Sequence, residues 1–215
     1  GELAAAAISG AIGDEDALRL VRARGIEMAK AAALSPAGMS AVLGGDREVV
    51  LKKLEELKLV AANDNGGGQI VAAGDLAALA ALSENPPEGA RVRALAVAGA
   101  FHTSFMEPAV EPLRTLAATI QTATTTISVI SNKDGEVVSD GGEVLTRIVN
   151  QIANPVRWDL CMQTLKNLGV TGVIELPPAG TLVGLLKRGA PEIETFALKS
   201  ADDLSAAKEF AGRHA

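Results

Sequence analysis

Cysteine is nearly absent from this chain. Cys161 is the only one in 215 residues, which excludes an internal disulfide framework and leaves a reduced, cytoplasmic setting as the default. Positive charge is scarce too: 20 Lys and Arg against 26 Asp and Glu give a net charge of −6. No overall basic field exists to hold a polyanion, so nucleic acid is not an expected partner, although local basic patches remain compatible with this balance. Long hydrophobic runs are missing as well. The apolar opening GELAAAAISGAIGDEDA has no preceding positive charge and soon meets acidic residues, so it fits neither a signal peptide nor a membrane span. Histidine occurs twice, at His102 and at His214 beside the last residue, and no His/Cys/Asp cluster has ligand spacing, so no metal is expected. What is present is 48% hydrophobic content, enough for one sizeable core or a core with a small inserted domain.

Residues 2–9 and 14–34 read as alanine-rich helices, the second opening on GDEDALRL with three acids at its positive dipole end. From residue 38 the pattern changes. MSAVLG, LVAAN, GQIVAAG and RVRALAVAG read as strands, with DREVVLKKLEEL and DLAALAALSE as the helices among them. The order β-α-β-β-α-β is the ferredoxin-like arrangement, and NDNGGGQ is the hairpin between its middle strands. Beyond His102, a helix near 105–118 and helices at GGEVLTRIVNQI, VRWDLCMQTLKNLG, GTLVGLLKRG and ADDLSAAKEFAGR accompany strands at TISVISN, GVIELPP and ETFALKS. Short apolar strands among such helices predict a largely parallel sheet covered on both faces. The predicted class is α/β. An α/β-hydrolase-like parallel-sheet body, residues 1–34 and 99–215, is interrupted by a ferredoxin-like βαββαβ small domain, residues 35–98. A body of this kind would want further strands ahead of residue 1, so it is expected to be incomplete at its N-terminus.

The stretch AGAFHTSFMEPAV, residues 98–110, sets the interior histidine directly after an apolar run. His102 is there either as a general base or as a structurally satisfied ring. A base needs a nucleophile within reach and an acceptor to hold its ring. Ser104 is two residues away, and i, i+2 neighbours on a helix do not face each other. Cys161, in WDLCMQ, lies on the apolar side of a predicted helix, where a thiol is buried and inert. Nothing near the motif supplies the nucleophile.

Six segments occur in the order, and at about the spacing, of one enzyme family: GELAAAAISGAI (1–12), RGIEM (24–28), NDNGGGQIVAAG (63–74), GAFHTSFM (99–106), NPVRWD (154–159) and ELPPAGTLVGLLKR (175–188). Across its whole length the chain resembles the malonyl-CoA:acyl carrier protein transacylases of bacterial fatty acid synthesis, especially the actinobacterial form. More distantly it resembles polyketide synthase acyltransferase domains. The resemblance implies transfer of malonyl from malonyl-CoA to the phosphopantetheine thiol of acyl carrier protein through a malonyl-serine ester. It further implies no cofactor, a cytoplasmic setting and a monomer when complete. The family's serine sits in a G-H-S-x-G-E turn between strand and helix. Gly1 and Glu2 resemble the last two residues of that turn, so the serine is expected ahead of residue 1 and the chain alone is expected to be inactive.

Carried over residue by residue, His102 matches the base, and Gln151 the position whose backbone carbonyl orients it. Arg24 matches the arginine that grips the malonyl carboxylate bidentately, with Arg22 its exposed neighbour. Phe101 matches a position linked to the extender unit, where phenylalanine resembles the malonyl-selective pattern. Met28 lines the same pocket or fills the core, and Ala29 departs from a glutamine often found there. Asn63 and Asn65 face the cleft or serve the hairpin turn. Acyl carrier protein is acidic, so a local basic patch is expected, with Arg91, Arg93, Lys187 and Arg188 as candidates that would also meet the phosphates of coenzyme A. Two other classes remain: a non-catalytic module that only binds the carrier, and a serine esterase or thioesterase. A pocket arginine argues against the latter, since simple acyl esters carry no carboxylate.

Overall fold

The computed structural model describes residues 1–215. Helices α1 (Glu2–Ile8) and α2 (Asp14–Ala32) open the chain, and Asp14, Glu15 and Asp16 lie in the first turn of α2, beside its unpaired N–H groups. The small unit follows as β1 (Ala37–Gly44), α3 (Arg47–Glu56), β2 (Val60–Asp64), β3 (Gln69–Asp75), α4 (Leu76–Glu84) and β4 (Ala90–Ala94). Its strands are ordered β4-β1-β3-β2 with every neighbouring pair antiparallel, the ferredoxin-like topology. Asp46 and Asp75 cap α3 and α4 by accepting from backbone N–H groups of their first turns.

Strand alternation divides this sheet between two cores. Val42 and Ile70 face α3 and α4 with Val50, Leu54, Leu79 and Leu82. Met39, Val71 and Ala73 face the other way, onto Ala100, Phe101 and Phe105. One face of the small sheet therefore packs its own helices, and the other packs the segment that carries His102.

The remaining elements are α5 (Glu107–Ala117), β5 (Val129–Ile130), β6 (Val137–Val138), α6 (Gly141–Asn150), β7 (Val156–Arg157), α7 (Trp158–Asn167), β8 (Gly172–Glu175), α8 (Thr181–Gly189), β9 (Glu194–Ala197) and α9 (Leu204–Arg213). The largest core cluster, 20 residues, is built mainly from α1, α2, α5 and α6, with Leu20, Met106 and Leu113 among its most buried members. The α/β class and the ferredoxin-like unit read from the sequence are both present.

Three local expectations are corrected. RVRALAVAG does not stay extended to its end: β4 stops at Ala94, and after one more bond, from the Leu95 N–H to the Met39 carbonyl, the chain turns away and reaches Ala32 of α2 at Gly99. TISVISN yields only the two residues of β5, paired antiparallel with β6. The helix expected from residue 156 begins at Trp158, since Val156 and Arg157 are drawn into the small sheet parallel to β2. Body strands thus form two separate pairs, β5–β6 and the parallel β8–β9. Between β5 and β8 lies an apolar cleft of about 510 Å³ walled by Ile8, Ile127, Val129, Ile174, Leu176 and Leu182. No helix is long and apolar enough to cross a membrane.

Candidate active site

The approach to His102 is set by a close contact. A side chain at Gly99 would put its Cβ 2.8 Å from that of Ala32, so glycine lets the chain leaving β4 press against the end of α2. Three residues later His102 takes a left-handed backbone, φ +61°. This conformation is uncommon outside glycine and costs roughly 1 kcal/mol. Surrounding bonds hold it there. The His102 N–H donates to the Ile152 carbonyl at 3.1 Å, and the buried Thr103 hydroxyl donates to the Ala100 carbonyl at 2.6 Å.

The ring itself is fixed by Nδ1, 2.9 Å from the Gln151 carbonyl oxygen. A carbonyl only accepts, so Nδ1 carries the hydrogen and Nε2 keeps its lone pair. That carbonyl also accepts the Asn154 N–H at 3.2 Å, so the ring uses its second lone pair. Residues Gln151–Ala153 form a 3-10 turn at the end of α6, where the last carbonyls of a helix lack α-helical partners. Helix α6 is anchored by its buried face of Val144, Leu145, Ile148 and Val149 and capped by Asp140. Burial lowers the pKa of His102, the Gln151 bond opposes the shift, and the Arg24 cation adds to the lowering.

Arg24 projects from α2 into a cleft of about 250 Å³ whose other walls include Gly1, Glu2, Val21, Ile148 and Gln151. Burial lowers its pKa, Glu2 alone offsets this, and an arginine remains cationic regardless. Arg147 nearby is spoken for, held by Asp134 at 2.7 Å and Glu143 at 2.7 Å. Arg24 has no comparable partner. One half-buried cation and one carbonyl-anchored imidazole thus meet around Gln151.

The remaining predicted residues are more dispersed. Phe101 is half-buried between the main core and the small sheet. Met28 is buried in the main core, and Arg22 is exposed. Asn63 sits in β2 opposite Val71 and Val156, while the Asn65 N–H closes the hairpin onto the Gln69 carbonyl. Arg91 and Arg93 are exposed on β4, away from the Arg24 cleft. Leu43 pairs with both Arg91 and Gln69, so these share a sheet face, and Arg188 donates to the Gln69 side chain at 3.2 Å. Lys187 is exposed beside Arg188 on α8. Burial pushes the Cys161 thiol up to about 12, as suits an inert side chain. No three His, Cys, Asp or Glu side chains are grouped to hold a metal ion.

Sequence reasoning missed the partner of Glu2. Its carboxylate accepts from the Asn132 N–H at 2.6 Å, across 130 residues of chain. An acid in the first turn of a helix reads simply as a dipole partner, and nothing local points to that distant loop.

The comparisons with known proteins define the chain as an acyltransferase. Residues 1–209 match the acyl transferase domain family. The malonyl CoA-acyl carrier protein transacylase of Mycobacterium tuberculosis is 53% identical over 204 residues, covering 95% of this chain and 68% of that protein. The crystal structure of MCAT from Mycobacterium tuberculosis superposes with a TM-score of 0.92 at 53% identity, over 96% of this chain and 68% of the other. A type II PKS acyl-carrier protein in complex with its malonyl-transacylase matches with a TM-score of 0.89 at 28% identity, over 97% of this chain and 70% of the other. The chain therefore belongs to the malonyl-CoA:acyl carrier protein transacylases.

Proposed function

We propose that this chain forms the larger part of an enzyme that moves a malonyl group from malonyl-CoA to the phosphopantetheine thiol of acyl carrier protein, in fatty acid or polyketide synthesis. The observation that carries the reading is the 2.9 Å bond from His102 Nδ1 to the Gln151 carbonyl, which leaves Nε2 free to act as a base. A serine hydroxyl would give its proton to Nε2 as its oxygen attacks the thioester carbon. Collapse of the tetrahedral adduct breaks the C–S bond, and the leaving thiolate takes the proton back from His102. In the second half the carrier thiol loses its proton to Nε2 and attacks the ester, and the serine oxygen leaves with that proton. Arg24 holds the malonyl carboxylate throughout, and Glu2 and Gln151 frame the same cleft. No step calls on a cofactor or metal.

The serine, on this reading, belongs to a segment that ends at Gly1. Gly1 borders both the apolar cleft between β5 and β8 and the Arg24 cleft. A strand entering the first would deliver the residues before Gly1 to the second, and without it the chain is inactive. Residues 1–34 and 99–215 act as the catalytic body and 35–98 as a small domain with its own helix-covered core, joined to the body through Ala100 and the Val156–Arg157 strand. Phe101 walls the acyl pocket against an α-methyl branch, a discrimination of about 1–3 kcal/mol. Met28 supports that pocket from the core. Arg91, Arg93, Lys187 and Arg188 receive the acidic carrier and the phosphates of coenzyme A. The enzyme works as a cytoplasmic monomer. An esterase reading is disfavoured by Arg24, whose charge has no counterpart in a simple acyl ester.

Intact mass measurement after brief exposure to malonyl-CoA tests the assignment. The chain alone should gain nothing, whereas a mixture with a peptide carrying the G-H-S-x turn should gain one malonyl group on the peptide. His102→Ala should abolish that gain. Malonylation of the 215-residue chain by itself would overturn the serine assignment.

A further inference from the structure

Glu2 and Arg24 are the only charged side chains lining their cleft, yet no hydrogen bond joins them. The Glu2 carboxylate is held instead by backbone, the Asn132 N–H just beyond β5, and so stays in place whether or not Arg24 has a ligand. Arg24 therefore keeps the edges of its guanidinium free while its charge is opposed. We propose that Glu2 is the counter-charge that sets how tightly Arg24 holds a substrate carboxylate, a positioning role that rests on the assignment of Arg24 above. An arriving carboxylate is drawn by Arg24 and repelled by Glu2, whereas an uncharged acyl group feels neither. The arrangement would weaken the hold on malonyl and so favour its release to the second acceptor.

The other charged side chain facing Glu2 is Arg147 on α6; the Cys161 thiol on α7 also feels it, and His102 lies within the field of Arg24. Arg147 is engaged by Asp134, Glu143 and Glu136. Burial raises the pKa of Glu2, while the Asn132 bond, Arg147 and Arg24 oppose the rise. As pH falls, Glu2 should take up a proton before an ordinary carboxylate does. An ionised substrate carboxylate should then bind Arg24 more tightly.

The purely structural reading, a staple between α1 and the Asn132 loop, is separable because glutamine retains the acceptor oxygen and loses only the charge. The 215-residue chain would be titrated with monomethyl malonate, following the Arg24 Nε–H resonance, with dimethyl malonate as the uncharged control. Glu2→Gln should bind the monoanion roughly 3- to 10-fold more tightly at about pH 7, as expected for removing one charge at this range in a partly solvated cleft. Binding of the diester should not change. Wild type should tighten when measured at a second, more acidic pH, because the raised pKa lets Glu2 take up its proton ahead of an ordinary carboxylate, while Glu2→Gln stays flat and Glu2→Asp resembles wild type. Equal affinities for wild type and Glu2→Gln at both pH values, with Arg24→Ala abolishing binding, would overturn the counter-charge role alone. The same change in Glu2→Asp as in Glu2→Gln would also overturn it, since aspartate keeps the charge. Loss of selectivity for the monoanion in wild type would remove the Arg24 assignment and this role with it.

Discussion

At the scale of single residues, His102 was visible in AGAFHTSFMEPAV as a histidine with no nearby nucleophile, but its orienting group was not. The acceptor is a main-chain carbonyl, and a carbonyl has no letter in a sequence; only resemblance pointed to Gln151. In the intact enzyme, His102→Ala should lower kcat/KM for malonyl transfer about 10²- to 10⁴-fold, read from single-turnover kinetics. The pH profile gives a second check. Burial, partly opposed by the Gln151 bond, holds His102 below its ordinary pKa, so the ring stays neutral further into acid than a free histidine would. The acid limb of kcat/KM should accordingly lie below the ordinary histidine range. A limb above that range would contradict the buried geometry. By the same sign, the stability favoured by the neutral ring is present above its unfolded value and is lost as pH falls towards the folded one. Arg24→Lys replaces a planar fork by a point charge, and should cost malonyl-CoA about 10- to 100-fold in kcat/KM while changing acetyl transfer much less.

At the scale of elements, local signals served well where the partner is close in sequence. NDNGGGQ folds as the predicted hairpin, and its glycines are demanded twice: Gly67 has φ +55°, and a Cβ there would stand 2.9 Å from the Arg188 Cβ. The hairpin thereby rests on α8, bringing the small sheet to the basic end of that helix. Gly67→Ala should destabilise the fold by about 1–3 kcal/mol, seen as a lowered midpoint of thermal unfolding, and weaken carrier binding together with it. Glu175 offers a second check. Its carboxylate accepts N–H groups of Gly180, Leu182 and Val183 at 2.7–2.9 Å, tying β8 to the start of α8. Burial alone would raise its pKa, but these bonds hold it below the ordinary carboxylate range. Its contribution, about 1 kcal/mol by analogy with other helix caps, is complete above the unfolded pKa and disappears as pH falls through the folded one. Denaturant midpoints of wild type and Glu175→Ala should therefore differ near neutrality and converge in acid. Elements whose partner is remote were illegible: nothing in NPVRWD says that Val156 will pair with Asn63, and that pairing is what delays α7 to Trp158.

At the scale of the whole molecule, periodicity gave the α/β class and the ferredoxin-like unit because each β-α-β step buries its own apolar faces. It could not say how few body strands would find neighbours. The parallel pair β8–β9 and the short pair β5–β6 flank an apolar cleft in which Ile8, Ile127 and Leu176 remain 62%, 58% and 52% exposed. Helices cover the 20-residue core well enough to fold, but an unpaired edge of β8 beside an apolar trough is a template for another chain. The 215-residue chain should therefore self-associate with rising concentration in sedimentation velocity. The double substitution Ile127→Lys with Leu176→Lys places charge on both walls of the trough and away from Arg24 and His102. It should suppress association while leaving far-UV circular dichroism unchanged. Were the wild-type chain monomeric at every concentration, the trough would not be an association surface.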